Sequence, residues 1–406
     1  MKRYGWLLGC CLFLSIGMLW AADEPDLRML QQKAAQSRDM EGYVGVCKYL
    51  YQTEENPELL LLYADSIHQL ATKSKKPEQL VEYYIWASEG NFIKGDFQQG
   101  YALKRKAIAL AEKAGLKFAI SQSCCDMGYY CNVDARYDSA RYYFRKGLEA
   151  GEDLSEAGEA CRTMLTNYAS SFLFEGKTDS ALVYTIRASE RSAADKDTAM
   201  LIENLNQLGT IYRRKKNLEN CIANFEQALH LCELRGNHNA VAFIYGNIAT
   251  AYCDWNRPVD AIPFSEKAVE YALKTGNKRR IGTCYVNLGA IQIRLVQMRA
   301  EGIATLLKAI PILEEVNDRR LLCDAYNYLV NAYRMDGNLN QAMYYLQKLD
   351  KLAHEMQTDA ERFRYYQAKA GLLQESKNYT EAIVYLCVVI NVLKSVKSAG
   401  AAFVME

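Results

Sequence analysis

Six prolines in 406 residues is few, and so are four histidines. A chain this poor in proline is not a polyproline segment or a stiff linker, and little in it interrupts long regular elements. An excess of charge of one sign is missing as well: 49 basic residues face 48 acidic ones. That balance leaves no basic footprint for DNA or RNA and no acidic tail. Half of the residues are apolar and 24% are charged, so the chain can bury a core and disorder is not expected. Long apolar runs are scarce after residue 21. The longest near the end, Ala382 to Leu393, holds twelve residues between Glu381 and Lys394, against the roughly 20 that a spanning helix needs.

Catalytic signatures are also lacking. There is no G-x-S-x-G, no glycine-rich phosphate loop and no H-E-x-x-H. No segment reads as a strand bearing a catalytic loop. The expectation is therefore a non-enzymatic chain without cofactors. The histidines are His68, His230, His238 and His354, and the spacing of His230, Cys232 and His238 fits no helix-borne metal motif.

Cysteine is plentiful, with thirteen in all. Most fall where a helix needs a small buried residue, and a free cysteine behaves as a small hydrophobe. The densest group, Cys124, Cys125 and Cys131, lacks C-x-x-C spacing and a nearby histidine, which argues against zinc.

The first residues read as an address. Lys2 and Arg3 precede an uncharged run from Trp6 to Trp20, followed by Ala21 and Ala22. This is the pattern of a secretory signal, with cleavage expected after Ala21. Leu7-Leu8-Gly9-Cys10 is similar to a bacterial lipobox, but the apolar run continues for ten residues beyond Cys10. The expected location is outside the cytoplasm, in the periplasm.

What the chain has in abundance is self-similarity. Small residues recur at Gly100, Ala140, Ala181, Cys221, Ala261, Gly302, Ala342 and Ala382, at intervals of 40 or 41. Seven residues further on lie Ala107, Gly147, Ala188, Ala228, Ala268, Ala309, Leu349 and Val389. Before the first ladder, by twelve residues and once by thirteen, lie Ser88, Gly128, Ala169, Gly209, Ala249, Gly289, Val330 and Ala370. Two helices that cross closely need a position without a bulky side chain at each contact. Turns such as EGKTDS, KKNLEN, MDGNLN and SKNYTE separate the helices. A pair of helices cannot bury both faces alone, so neighbouring pairs must stack. The sixth repeat carries the extra residue, and Pro311 falls inside its second helix. There a local bend is expected, with a change of superhelical pitch as the other reading.

Leu208-Gly209, Tyr212, Cys221, Phe225 and Ala228 carry a resemblance to the tetratricopeptide family, with Leu288-Gly289, Tyr252 and Tyr333 behind them. The family's tryptophan near the repeat start is missing, and the period is 40 rather than the family's 34. The resemblance implies an all-α solenoid of stacked antiparallel helix pairs, a right-handed superhelix whose concave face is built from the first helix of each pair. The expected organisation is a signal over 1–21, degenerate helical repeats capping the array over 22–79, eight repeats over 80–397 and a tail over 398–406.

On the first helices, Asn167, Asn247 and Asn287 stand two residues before the third ladder, with Asn206, Asn327 and Asn331 close by. An amide offers one acceptor and two donors, and the resemblance implies that asparagines here grip an extended peptide. Arg213, Arg214, Arg294 and Arg334 follow one turn later and suit carboxylates. The expected partner is a protein or peptide in the groove, not nucleic acid or membrane. The alternative is the exported sensor part of a membrane-bound transcription regulator, without its transmembrane and DNA-binding parts.

Overall fold

Every residue of the three small ladders is buried, including the three bulky substitutes, Val330, Leu349 and Val389. The reason is geometric. A Cβ built on Gly128 would meet the ring of Phe144, and one on Gly289 would sit 2.7 Å from Leu306 and 3.0 Å from the carbonyl of Gly302. Helices this close admit only small residues at the crossing.

The computed structural model describes residues 27–53, 56–352 and 359–402. The signal, its cleavage point, Cys10, Cys11, His354 and the last four residues of the tail lie outside the described residues. The described chain is helical and forms two units, one running to Ile211 and the other beginning at Tyr212.

In the N-terminal unit, α1 (Leu27–Ser37), α2 (Met40–Thr53) and α3 (Pro57–Ser74) precede three helix pairs. These are α4 (Pro77–Lys94) with α5 (Phe97–Ala114), α6 (Lys117–Val133) with α7 (Tyr137–Gly151), and α8 (Gly158–Phe174) with α9 (Thr178–Ala194). Helix α10 (Thr198–Arg214) carries the boundary. In the C-terminal unit α11 (Leu218–Leu234) is followed by α12 (His238–Asp254) with α13 (Pro258–Thr275), and α14 (Lys278–Gln292) with α15 (Arg299–Glu315). Then come α16 (Arg319–Met335) with α17 (Leu339–Leu352), and α18 (Asp359–Glu375) with α19 (Tyr379–Ala402). Within each unit, packing runs mainly between consecutive helices, as in a solenoid.

The ends of the helices follow from local chemistry. Asn56, Asp96, Asn217, Asn237, Asn277 and Asp318 each accept a hydrogen bond from the backbone N–H three residues on, a side-chain N-cap. Pro57, Pro77 and Pro258 occupy first turns, where a missing N–H costs nothing. Between first and second helices the chain turns through a left-handed residue at Gly95, Ala135, Gly176, Lys216, Asn256, Gly337 and Lys377. That series omits one repeat, the sixth, where the 3₁₀ turn Val296–Met298 takes up the extra residue. Helix α15 runs on through Pro311, and α13 accommodates Pro263 in the same way.

The eleven cysteines of the described residues are free thiols, nine of them buried. Burial pushes Cys47, Cys124 and Cys232 up to about 12, which makes them inert packing groups. No cluster among the described residues could hold a metal ion.

Candidate binding faces on the first helices

In the C-terminal unit, Asn239, Phe243 and Asn247 share one face of α12 at spacings of four, and Arg280 and Asn287 share a face of α14 at a spacing of seven. One contact ties the two helices: Arg280 Nε donates to Asn239 Oδ1 at 3.0 Å. Its guanidinium also lies 5.2 Å from the centre of the Phe243 ring. Arg280 is partly buried, and no carboxylate pairs with it among the described residues. Burial consequently lowers its pKa from the ordinary arginine value. A fixed, half-desolvated guanidinium is prepared to take a planar anion, because its donors are already aligned and its water partly removed. Sequence reading passed over Arg280. The signal was there, an arginine one repeat after Asn239, but it lies before the stretch in which the small residues recur.

The residues singled out from the sequence divide by environment. Asn287 is exposed and Asn247 partly buried. Asn327 is buried, and Asn331 Nδ2 donates to its carbonyl and its Oδ1 at 3.0 and 2.9 Å. Asn167 is buried, and its carbonyl accepts from Asn132 Nδ2 at 3.0 Å. Asn206 is partly buried at the edge of the N-terminal unit. Arg213 pairs with Asp254 at 3.5 Å and Arg334 with Glu375 at 2.6 Å, each one repeat onward. Arg294 is exposed. The structure therefore places Asn247 and Asn287 on neighbouring first helices, on the faces that also carry Asn239 and Arg280, while Arg213 and Arg334 link successive repeats.

The N-terminal unit carries a different constellation. Four residues after the first ladder the second helices hold Phe144, Thr185, Phe225, Ser265, Leu306, Leu346 and Leu386, but the first repeat holds Lys104. Its ammonium is wholly buried. It donates to Glu89 on α4 and, at 2.9 Å, to Asp126 Oδ2 on α6, while Tyr130 donates to the other Glu89 oxygen at 2.6 Å. Burial pushes the Glu89 carboxyl up, partly offset by Lys104. Trp86 Nε1 donates to Glu82 at 2.9 Å. Tyr51 lies edge-on to Trp86, ring centres 6.3 Å apart.

Residues 199–274 match the tetratricopeptide repeat family model, and this stretch spans α10 to α13. The chain carries tetratricopeptide repeats. No curated protein sequence matches it. Among solved structures the array is similar to aspartyl phosphate phosphatase F from Bacillus subtilis, at 14% identity and a TM-score of 0.56 over 88% of this chain and 94% of that one. It is similar to a Rap protein complexed with competence and sporulation factor, at 10% identity and a TM-score of 0.51, covering 88% and 98%. A third is the signal transduction ATPase with a tetratricopeptide repeat sensor from Pyrococcus horikoshii, at 16% identity and a TM-score of 0.57. That match takes in 88% of this chain and 54% of the ATPase. At these identities the tetratricopeptide fold is what is shared.

Proposed function

We propose that this chain is a non-enzymatic scaffold that binds a protein or peptide through the first-helix face of its repeats, outside the cytoplasm. The observation that carries the reading is Arg280, a partly buried guanidinium fixed by Asn239 and Phe243 and without a carboxylate partner among the described residues, on the same helix faces as Asn247 and Asn287. An extended peptide offers backbone groups to the amides and a carboxylate to the arginine. The similar Rap structure with its bound factor adds support from a protein of the same fold. Export is supported by Lys2, Arg3 and the uncharged run from Trp6 to Trp20.

The test is co-purification of the full chain from the extracytoplasmic fraction, followed by a binding isotherm with the recovered partner. Each amide contributes about 0.5–1.5 kcal/mol net, so Asn247→Ala with Asn287→Ala weakens binding roughly tenfold or more. Thermal unfolding stays almost unchanged, since neither residue belongs to the small ladders. Early unfolding of the double variant would show that the amides tie repeats together and sink the assignment. A chain found in the cytoplasm with Met1 intact would remove the address.

One observation favours a second reading, the sensor part of a membrane-bound regulator. Tyr379, Ile383, Val384 and Ile390 on α19 are each at least half exposed, an apolar face of the kind that a further segment covers. Reading the gene beyond Glu406 decides it: an in-frame apolar stretch of about 20 residues supports the regulator, and an immediate stop removes it.

A further inference from the structure

A cleft of about 480 Å³ lies on the second-helix side of the N-terminal unit, with α7 and α9 as its walls and α8 as its floor. That volume falls within the range of small-ligand sites, roughly 300–1,000 Å³. The array is irregular at this point. From a second-ladder residue to the next third-ladder residue the chain takes 22 positions at Gly147–Ala169 and 21 at every other repeat. Six residues, with the 3₁₀ turn Ser155–Ala157, join α7 to α8, against two between α5 and α6 and three between α9 and α10. Glu152, in this longer joint, forms part of the cleft wall.

The lining is sorted along the cleft. At one end Tyr168 and Tyr184 stand together, ring centres 4.4 Å apart, and the Arg187 guanidinium lies 5.8 Å from the Tyr184 ring. Cys161 marks the other end, because a Cβ on Gly151 would stand 3.0 Å from its sulfur. Successive helices of the array run antiparallel, so α7 and α9 run the same way. Arg145 on α7 therefore faces the tyrosine end with Arg187, and Glu152 faces the Cys161 end. Seven residues separate Arg145 from Glu152, about 10 Å along a helix. Glu149 and Glu190 line the walls between them. Among the described residues none of these five charges makes an ion pair, whereas Arg191 on the same wall is tied to Asp195 at 2.9 Å. Beneath them Leu165 and the buried Tyr168 offer apolar surface.

We infer that this cleft binds a small free zwitterion of the length of an extended tripeptide, with its carboxylate at Arg145 and Arg187 and its ammonium at Glu152. Both ends are recognised by charge-assisted hydrogen bonds. Three extended residues span about 10 Å, which matches the step from Arg145 to Glu152. Glu149 and Glu190 accept the N–H groups between the ends, and the middle side chain lies on Leu165 and Tyr168. The cleft is separate from the first-helix face and does not depend on the reading given to Arg280.

The experiment is titration calorimetry of the full chain with the tripeptide Ala-Phe-Ala, its N-acetyl and C-amide forms, and free phenylalanine. Ala-Phe-Ala should bind saturably, and blocking either end should weaken it about tenfold or more. Arg187→Gln should erase the difference between acid and amide while keeping the penalty for acetylation; Glu152→Gln should do the reverse. Both side chains are exposed, so both variants should melt as the parent does. Arg280→Ala should change nothing. Absence of saturable binding, or equal binding of free and blocked peptides, overturns the site. Binding lost in Arg280→Ala and kept in Arg187→Gln belongs to the first-helix face and also overturns it. Phenylalanine binding as tightly as the tripeptide removes the second end, and with it the assignment of Glu152.

Discussion

Thirteen buried polar or charged side chains lie in the N-terminal unit, from Ser88 to Asn204, and five in the C-terminal unit, from Ser265 to Asn327. The two units share one repeat and one period, yet they fill their cores differently. In the N-terminal unit the polar groups are wired across helices. Thr166 donates to Asn204 at 2.8 Å and Asn204 to Ser192 at 3.1 Å, while Gln207 joins Ser170 at 2.7 Å to Thr185 at 3.0 Å. In the C-terminal unit, Phe225, Leu306 and Leu346, in register with Lys104 and Thr185, fill that space with hydrocarbon. Small-residue ladders fix where the helices cross; they leave open what lies between. A hydrocarbon core is hurt by a cavity, whereas a wired core is hurt by any change that strands one partner.

The largest break in this comparison comes at Lys104. Lys104→Met leaves Glu89 and Asp126 without their cation, and stranding a buried charge costs about 3–5 kcal/mol. Hydrogen exchange followed by mass spectrometry should show the loss of protection confined to the N-terminal unit, with α12 to α17 unaffected. Adding Glu89→Gln and Asp126→Asn to Lys104→Met should recover most of it, because the stranded charges are then gone. Equal destabilisation of the single and triple variants would mean that Lys104 acts through packing alone.

That contrast marks what was legible in the sequence. Helix pairs, their period and the buried ladders could be read directly, because a missing side chain at a crossing is a local demand repeated every 40 or 41 residues. The sites were harder. Arg280 and Lys104 gain their meaning from residues about one repeat or half a repeat away, Asn239, Glu89 and Asp126. Spacing along one helix does not disclose such pairings. Lys104 did leave one trace, a charge in register with Phe144 and Phe225. Arg213 and Arg334 looked available for a ligand because their partners, Asp254 and Glu375, lie 41 residues on.

A second difference is in uncompensated charge, an acid in one unit and a base in the other. Burial, with Asp197 adding to it, pushes Glu203 in the N-terminal unit up to about 8. The unfolded chain releases this proton near the ordinary glutamate value of 4.5. Between those values the folded state holds more protons, so stability is full below 4.5, falls as pH rises towards 8, and is flat beyond. Glu203→Gln should abolish that part of the slope in urea unfolding followed from pH 5 to 9, while Arg280→Gln in the C-terminal unit should leave it in place. A wild-type slope that survives Glu203→Gln would assign the proton elsewhere.

The smallest effects set two glycines against each other and differ in sign. Gly128 in α6 lies under Phe144, so a methyl group there must push the ring out of a fully buried position. Overpacking of this kind costs about 1–3 kcal/mol. Gly246 in α12 has nothing within 4 Å of where its Cβ would stand. It sits inside a helix, where glycine costs about 0.5–1 kcal/mol relative to alanine. Gly128→Ala should therefore lower the melting temperature and Gly246→Ala raise it, although the substitution is the same and both glycines stand in first helices. The two differ because Gly128 belongs to the ladder at a helix crossing and Gly246 stands three residues before its unit's ladder residue, Ala249. Calorimetry on the two variants reads both signs. If Gly246→Ala also destabilises, the face of α12 on which Gly246 lies is packed rather than open, and the binding face assigned to Asn247 beside it loses its room for a ligand.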